Sequence, residues 1–207
     1  TRTRAQKLSD PKQDDASKKS QYVIVLDAGH GGKDEGAVSD DGKLEEKEYN
    51  LAVVKEIARL LEQSGVKVYC TRTTDRTVSK KARVRLANKR QADMLVSVHC
   101  NASDARKHSV RGIEVLYSKR DNGAGYTNKQ LAAKLLKKTV AATGLPARGV
   151  IRREDLYLMH HAKVPAVIVE TGYLTNPSDC LYMRQEKGIR QTAWGIYQAV
   201  METLEKY

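Results

Sequence analysis

The sequence contains no apolar run approaching the roughly eighteen residues of a membrane-spanning helix, so no transmembrane segment is expected. It has three cysteines, Cys70, Cys100 and Cys180, and no C-x-x-C. That spacing excludes a thiolate zinc knuckle and a dithiol redox motif, and three thiols cannot all pair with one another. Buried free thiols are the simplest expectation. Aromatic residues make up only 5% of the chain. With no zinc-finger, homeodomain or RNP signature either, nucleic acid is not an expected partner. The metalloprotease signatures HExxH and HxxEH are missing, as is the G-K-[ST] of a phosphate-binding loop. There are no internal repeats.

What is present suits one domain with a sizeable core. The chain has 207 residues, 40% hydrophobic and 30% charged. Its formal net charge of +12 attracts polyanions, whether nucleic acid, an anionic membrane or an acidic cell-envelope polymer, or simply keeps the chain in solution. Short basic clusters fall at 80–90 and 134–138. Residues 1–20 are polar and charged and read as a disordered arm or linker, leaving 21–207 as the domain.

From Tyr22 onward, strands alternate with helices. YVIVLDA, VKVYCT, ADMLVSVHCNA, GIEVLYS and PAVIVETG are apolar runs of strand length. NLAVVKEIARLLEQSG (50–65) has apolar residues at helical spacing and ends at Gly65. Further helices are expected over 79–91, 125–143 and about 188–206. This order implies an α/β domain, a mostly parallel, mixed sheet of about six strands covered by helices on both faces. In such sheets ligands bind at the carboxyl ends of the strands. His30, His99 and Glu170 each close or follow a strand.

The loop after the first strand, DAGHGGKDEG, is rich in glycine but is not a dinucleotide fingerprint. Its third glycine is misplaced, no helix follows until about residue 47, and Asp34, Glu35, Asp40 and Asp41 would repel a pyrophosphate. Glycines that let backbone pass close to an imidazole suit a metal site better. Hydrolytic zinc takes three protein ligands from His and Asp or Glu and keeps a fourth position open. His30 and His99 supply two. A carboxylate at the entry of the first helix could supply the third, and spacing alone leaves Glu45, Glu46 and Glu48 open. Acidic residues there also simply complement the helix dipole.

Four motifs in order, DAGHGGKDEGA, LEEKEYNL, TRTTD…RVRLAN…ADMLVSVHCNA and PAVIVETGYLTN, resemble the zinc-dependent N-acetylmuramoyl-L-alanine amidases of type 3. The resemblance covers nearly all of 22–207. It implies one zinc ion held by His30 of D-x-G-H-G-G, Glu46 of E-K-x-x-x-L and His99 of S-x-H-x-N. It implies Glu170 of V-E-x-G-F/Y-L-[ST]-N as the catalytic acid–base. The implied reaction is cleavage, by zinc-activated water, of the amide between N-acetylmuramic acid and L-alanine of the stem peptide. The implied substrate is peptidoglycan or muropeptide, and the implied location is the cell exterior or envelope, with an export segment outside this chain.

Three departures from the family pattern are mild: Ala28 stands for a frequent proline, Cys100 for alanine and Tyr173 for phenylalanine. Cys100 adjoins His99 in a strand, so its thiol should point to the opposite face. Arg83, Arg148 and Arg153 are candidates to grip substrate carboxylates. His108, His160 and His161 could serve as outer partners or substrate groups, the last two near the cleft rim. Beyond the helix at 125–143, no long extra helical insertion that would plug the cleft is evident between His99 and Glu170, so an open site is expected. Other functions consistent with these ligands are a zinc peptidase or deacetylase, or a non-catalytic wall-binding module.

Overall fold

The computed structural model describes residues 22–104, 108–120 and 123–206. The expected arm at 1–20 lies outside the described residues. Among these, no helix is long and apolar enough to cross a membrane.

The elements in chain order are β1 (Val23–Ala28), α1 (Glu46–Gln63), β2 (Lys67–Cys70), α2 (Lys80–Arg90), β3 (Met94–Asn101), β4 (Ile113–Tyr117), α3 (Asn128–Thr143), β5 (Ala147–Arg152), α4 (Tyr157–His161), β6 (Ala166–Tyr173), α5 (Pro177–Met183) and α6 (Glu186–Lys206). The six strands form one sheet in the order β2-β1-β3-β6-β4-β5. Every pairing is parallel except β4 against β6. The mixed, mostly parallel sheet expected from the alternation of elements is what is found. Its sixth strand, β5, has no apolar run of its own. ARGVIR is an edge strand that stays half-buried or exposed along its length. The short helices α4 and α5 also escape sequence periodicity, since neither completes enough turns to show one.

Strand alternation sorts side chains onto two faces. Ile24, Leu26, Met94, Val96, Val98, Val167 and Val169 point toward α1, α3 and α6, where Val53, Ile57, Leu61, Leu131, Leu135, Ile196 and Val200 meet them. α1 forms because its apolar residues recur at i, i+3 and i+4, and each large aliphatic side chain buried there contributes about 1.5–3 kcal/mol. α3 starts with a capping box between Thr127 and Gln130. Val25, Leu95, Ala166 and Ile168 point the other way, against Val84 and Ala87 of α2 and Leu158 and Met159 of α4. α2 begins at Ser79, whose hydroxyl accepts from the Ala82 amide. Cys70 is half-buried, Cys100 and Cys180 are buried, and all three are free thiols.

Candidate active site

The central strands β1, β3 and β6 run in parallel, so they end at one edge of the sheet. Register then dictates neighbours. Asp27 lies beside Ser97, and His99 lies beside Glu170, all on the α2 face. Past β1 the chain turns at His30, which holds a left-handed φ of 59°. That conformation is uncommon outside glycine, so the surroundings must impose it. They do so through the arginine clamp described below and through an ion pair between His30 and Asp34.

Two glycines make the approach possible. A Cβ on Gly29 would come within 2.3 Å of the His99 ring. One on Gly36 would come within 2.6 Å of Glu46 Oε2 and 2.8 Å of the His30 ring, at a φ of +71°. The loop's glycines therefore let two backbone segments lie against the two imidazoles.

The three glutamates left open by spacing separate cleanly. Glu45 precedes α1 and pairs at the surface with Lys47, 3.1 Å away. Glu48 is exposed. Glu46, at the first helical position, is buried, and its Oε1 lies 3.2 Å from His30 Nε2 and 2.9 Å from His99 Nδ1. The amide of Cys100 and the side chain of Asn50 donate to the same oxygen, and the Ala37 amide donates to Oε2. These bonds fix the carboxylate without calling on solvent.

His30, Glu46 and His99 each offer one ligand atom, and these atoms lie within 4.8 Å of one another. Tetrahedral zinc with ligands at about 2.0–2.1 Å separates them by roughly 3.3 Å, so the spacing fits a single ion. The outer partner fits as well. Asp34 holds His30 Nδ1 at 2.8 Å and leaves Nε2 facing Glu46. Electrostatics agrees with the geometry. Burial opposes protonation of His30, but Glu46 and Asp34 outweigh it and raise its pKa to about 8. His99 is likewise raised, burial being overcome by Glu46 and Glu170. Burial pushes Glu46 upward, yet its bonds to the two imidazoles hold it below the ordinary carboxylate range. A carboxylate that draws two imidazoles toward their charged form attracts positive charge to its centre, as a cation site must.

Glu170 stands next to this cluster. Its Oε2 is buried with no hydrogen-bond partner among the described residues. Desolvation, with smaller contributions from Glu46 and Glu114, raises its pKa to about 7, against the opposing charge of His99. Glu114 faces it directly across the β4–β6 pair. A cavity of about 270 Å³ opens over the group, lined among others by His30, His99, Glu170, Asp34, Tyr157 and Leu158. The arrangement can hold a cation and present a carboxyl that exchanges protons near neutrality.

The N-acetylmuramoyl-L-alanine amidase family model Amidase_3 matches residues 24–202. The chain belongs to this family. It is 36% identical over 163 residues to the N-acetylmuramoyl-L-alanine amidase LytC of Bacillus subtilis, a match covering 79% of this chain and 32% of LytC. The chain thus spans about a third of that relative's length. The structure of the catalytic domain of CwlV, an N-acetylmuramoyl-L-alanine amidase from Bacillus (Paenibacillus) polymyxa var. colistinus, superposes with a TM-score of 0.82 at 32% identity, over 90% of this chain and 100% of that one. An N-acetylmuramoyl-L-alanine amidase from Clostridium difficile 630 gives 0.84 at 33% identity, over 91% of this chain and 99% of that one.

Within this amidase fold the other sequence candidates divide. Arg83 lines the cavity, but each of its three nitrogens is already engaged. Nη1 donates to Asp27 Oδ1 and to the Ala28 carbonyl, Nη2 to the His30 carbonyl at 2.7 Å, and Nε to the Val78 carbonyl. It is a clamp rather than a free hand for substrate. Arg72, fully buried, plays the same part from the other side, donating to the carbonyls of Ala28, Gly29 and Lys47. Asp27 anchors the network. Although burial favours its neutral form, Arg83 and the hydroxyls of Ser97 and Thr71 hold its pKa down. Periodicity does not reveal this role, for Asp27 reads as the end of a strand. Arg148 pairs with Glu114, and Arg153 forms a two-bonded pair with Asp155.

His108 pairs with Asp40 and faces the Thr175 carbonyl, outside the cavity. His161 stacks on Tyr157 at 3.9 Å, and neither it nor His160 lines the cavity, though their helix α4 forms part of its wall. Cys100 points away from the site, toward Asn50 and Thr171. Tyr173 uses its extra hydroxyl to donate to Glu114 at 2.9 Å.

Proposed function

We propose that residues 21–207 are the catalytic domain of a zinc-dependent N-acetylmuramoyl-L-alanine amidase that hydrolyses the amide between N-acetylmuramic acid and L-alanine of the peptidoglycan stem peptide. The observation that supports this reading is a single Glu46 oxygen shared by two imidazoles beside the Glu170 carboxyl, whose Oε2 has no partner among the described residues, in a chain of this family. His30, Glu46 and His99 would hold one zinc ion. When bound, zinc supplies a Lewis acid that lowers the pKa of water toward about 7 and polarises a carbonyl.

Glu170 is the proton carrier. Its carboxylate takes a proton from the attacking water as the new C–O bond forms. It then gives that proton to the departing nitrogen as the C–N bond breaks, because an amine leaves far more readily than its anion. The products are the lactyl carboxylate of muramic acid and the free amine of L-alanine. Burial serves both halves, since a carboxyl with a pKa near 7 is neither too weak a base nor too weak an acid at neutral pH. Asp34 orients His30, and Arg83 and Arg72 hold the loop that presents it. The proposed site of action is the cell wall, outside the membrane, where the surplus positive charge favours residence near acidic polymers.

Digestion of purified sacculi followed by mass spectrometry of the fragments tests the reading. Release of intact peptide from muramic acid is expected, and it should stop on chelation and return with zinc. Cleavage within the peptide would instead make the protein a peptidase, and tight wall binding without any cleavage would make it a binding module.

A further inference from the structure

The cations of α2 face two ways. Arg83 points inward, each of its three nitrogens donating to the loop and strand beneath the site. Arg85, Lys89 and Arg90 are exposed on the outer side. With Arg76, from the loop after β2, they line a second groove, of about 570 Å³. No carboxylate lines this groove, and α2 contains no acidic residue. None of the four cations has an ion-pair partner among the described residues, whereas Arg148, Arg152, Arg153, Arg184 and Arg190 elsewhere on the surface each have one.

Two of the four are nonetheless held in place by neutral groups. Arg76 donates to the Thr71 carbonyl at 2.8 Å. The Arg90 guanidinium lies 4.0 Å from the centre of the Tyr69 ring. Their positions are restrained while their charges stay uncompensated. Val78 forms part of the wall of both this groove and the catalytic cavity, so the two adjoin across one loop.

We propose that this groove binds a phosphodiester-linked anionic polymer of the cell wall, holding the wall beside the hydrolytic cavity, an inference that rests on the amidase reading above. Like charges crowded without counter-ions destabilise a surface, and a repeating anion relieves all four at once where a single peptide carboxylate relieves one. Arginine forks match phosphate oxygens in pairs. A single-stranded nucleic acid offers the same backbone charge but draws much of its affinity from bases stacked on open aromatic faces, and a duplex, bound by charge alone, is tested against the wall polymer below. Tyr69 is the ring beside the groove, and Arg90 already covers it.

Co-sedimentation of the whole chain with sacculi that retain their phosphodiester polymer, and with the same sacculi stripped of it by hydrofluoric acid, decides the matter. The wild type should bind the polymer-bearing sacculi about tenfold more tightly near 0.1 M salt, with an affinity that falls steeply as salt rises. The Arg85→Gln/Lys89→Gln/Arg90→Gln variant should lose that advantage, with a salt dependence shallower by about 2 units in its log–log slope, while cleaving a soluble disaccharide-peptide at the wild-type rate. A second variant, Arg85→Glu/Lys89→Glu, leaves the Arg90–Tyr69 contact intact and should bind more weakly still. Equal binding to the two kinds of sacculi, or undiminished binding by both variants, overturns the proposal. So does competition by a DNA oligonucleotide as effective as that by the isolated polymer, which would mean plain ion exchange. Failure of the wild type to cleave the soluble fragment would sink the amidase reading alone, since sedimentation reports on the groove without any turnover.

Discussion

The two faces of the sheet differ in what they bury. Among the described residues, the α1/α3/α6 side gathers twenty-eight buried apolar residues into one cluster, and the α2/α4 side gathers twelve. The same strands serve both, by alternation. On β3, Met94, Val96 and Val98 face the thick side, and Leu95, Ser97 and His99 the thin one. On β6, Val167 and Val169 are opposed by Ile168 and Glu170. On β1 the thin side receives Val25 and then Asp27. Along each strand the thin face turns from apolar to polar near the carboxyl edge, and that is where the cavity lies. The thick side supplies stability in excess, and the thin side uses some of it to keep ionisable groups out of water.

Glu170→Gln should cut kcat/KM by about 10²–10⁴, the usual contribution of a positioned acid–base group, and leave bound zinc unchanged. Loss of zinc together with activity would show that the residue supports the metal site instead. The same substitution sharpens the contrast between faces through stability. Glu170 has a folded-state pKa raised from 4.5 to about 7. Its ionised form therefore costs the fold nothing below about pH 4.5 and its full penalty above about pH 7. Metal-free Glu170→Gln should melt at a higher temperature than wild type at pH 8 and at the same temperature near pH 4.

Arg83→Met removes one partner of the buried Asp27 pair and should destabilise the protein by about 3–5 kcal/mol, read from denaturant melts. Because the His30 carbonyl loses its donor, zinc affinity should fall too. Adding Asp27→Asn should recover part of the loss, a coupling that a simple cavity would not show. On the thick side, Ile57→Ala should cost about 2–5 kcal/mol with no change in kcat of the folded fraction. If Ile57→Ala alters kcat, or Arg83→Met alters stability alone, the division of labour between the faces is wrong.

The sequence carries this division unevenly. Apolar runs of strand length locate β1, β3 and β6, and from their ends His30, His99 and Glu170 fall on one edge. Glu46 is not separable from Glu45 and Glu48 by spacing. Only the first-turn geometry of α1, or family resemblance, singles it out. The clamp beneath the site is harder still. Arg83 sits in a run of cations that reads as a solvated helix face, and nothing local says that one of them turns inward to meet an aspartate 56 positions away. β5 fails for a different reason. As an edge strand it needs little apolar pattern, because one neighbour and a half-buried face suffice to hold it.

Asp34 offers the finest test of how the thin face is built. It is largely exposed, yet it holds His30 Nδ1 at 2.8 Å and accepts from the Gly36 amide. In the metal-free protein that bond helps keep His30 protonated. With zinc bound, the same bond would leave Nε2 as the ligand atom and strengthen its basicity. Asp34→Asn keeps the shape and one acceptor while removing the charge. Zinc affinity, measured by competition with a chromogenic chelator, should fall about tenfold to a hundredfold, and melting of the metal-free protein should barely move. Asp34→Ala should lose more affinity, because the His30 ring then loses its partner at Nδ1 and can turn on a backbone that Arg83 and Arg72 still hold. Wild-type affinity in Asp34→Ala would mean that Arg83 and the glycines alone set the imidazole, and the polar side of the sheet would then owe its order to backbone clamps rather than to charge.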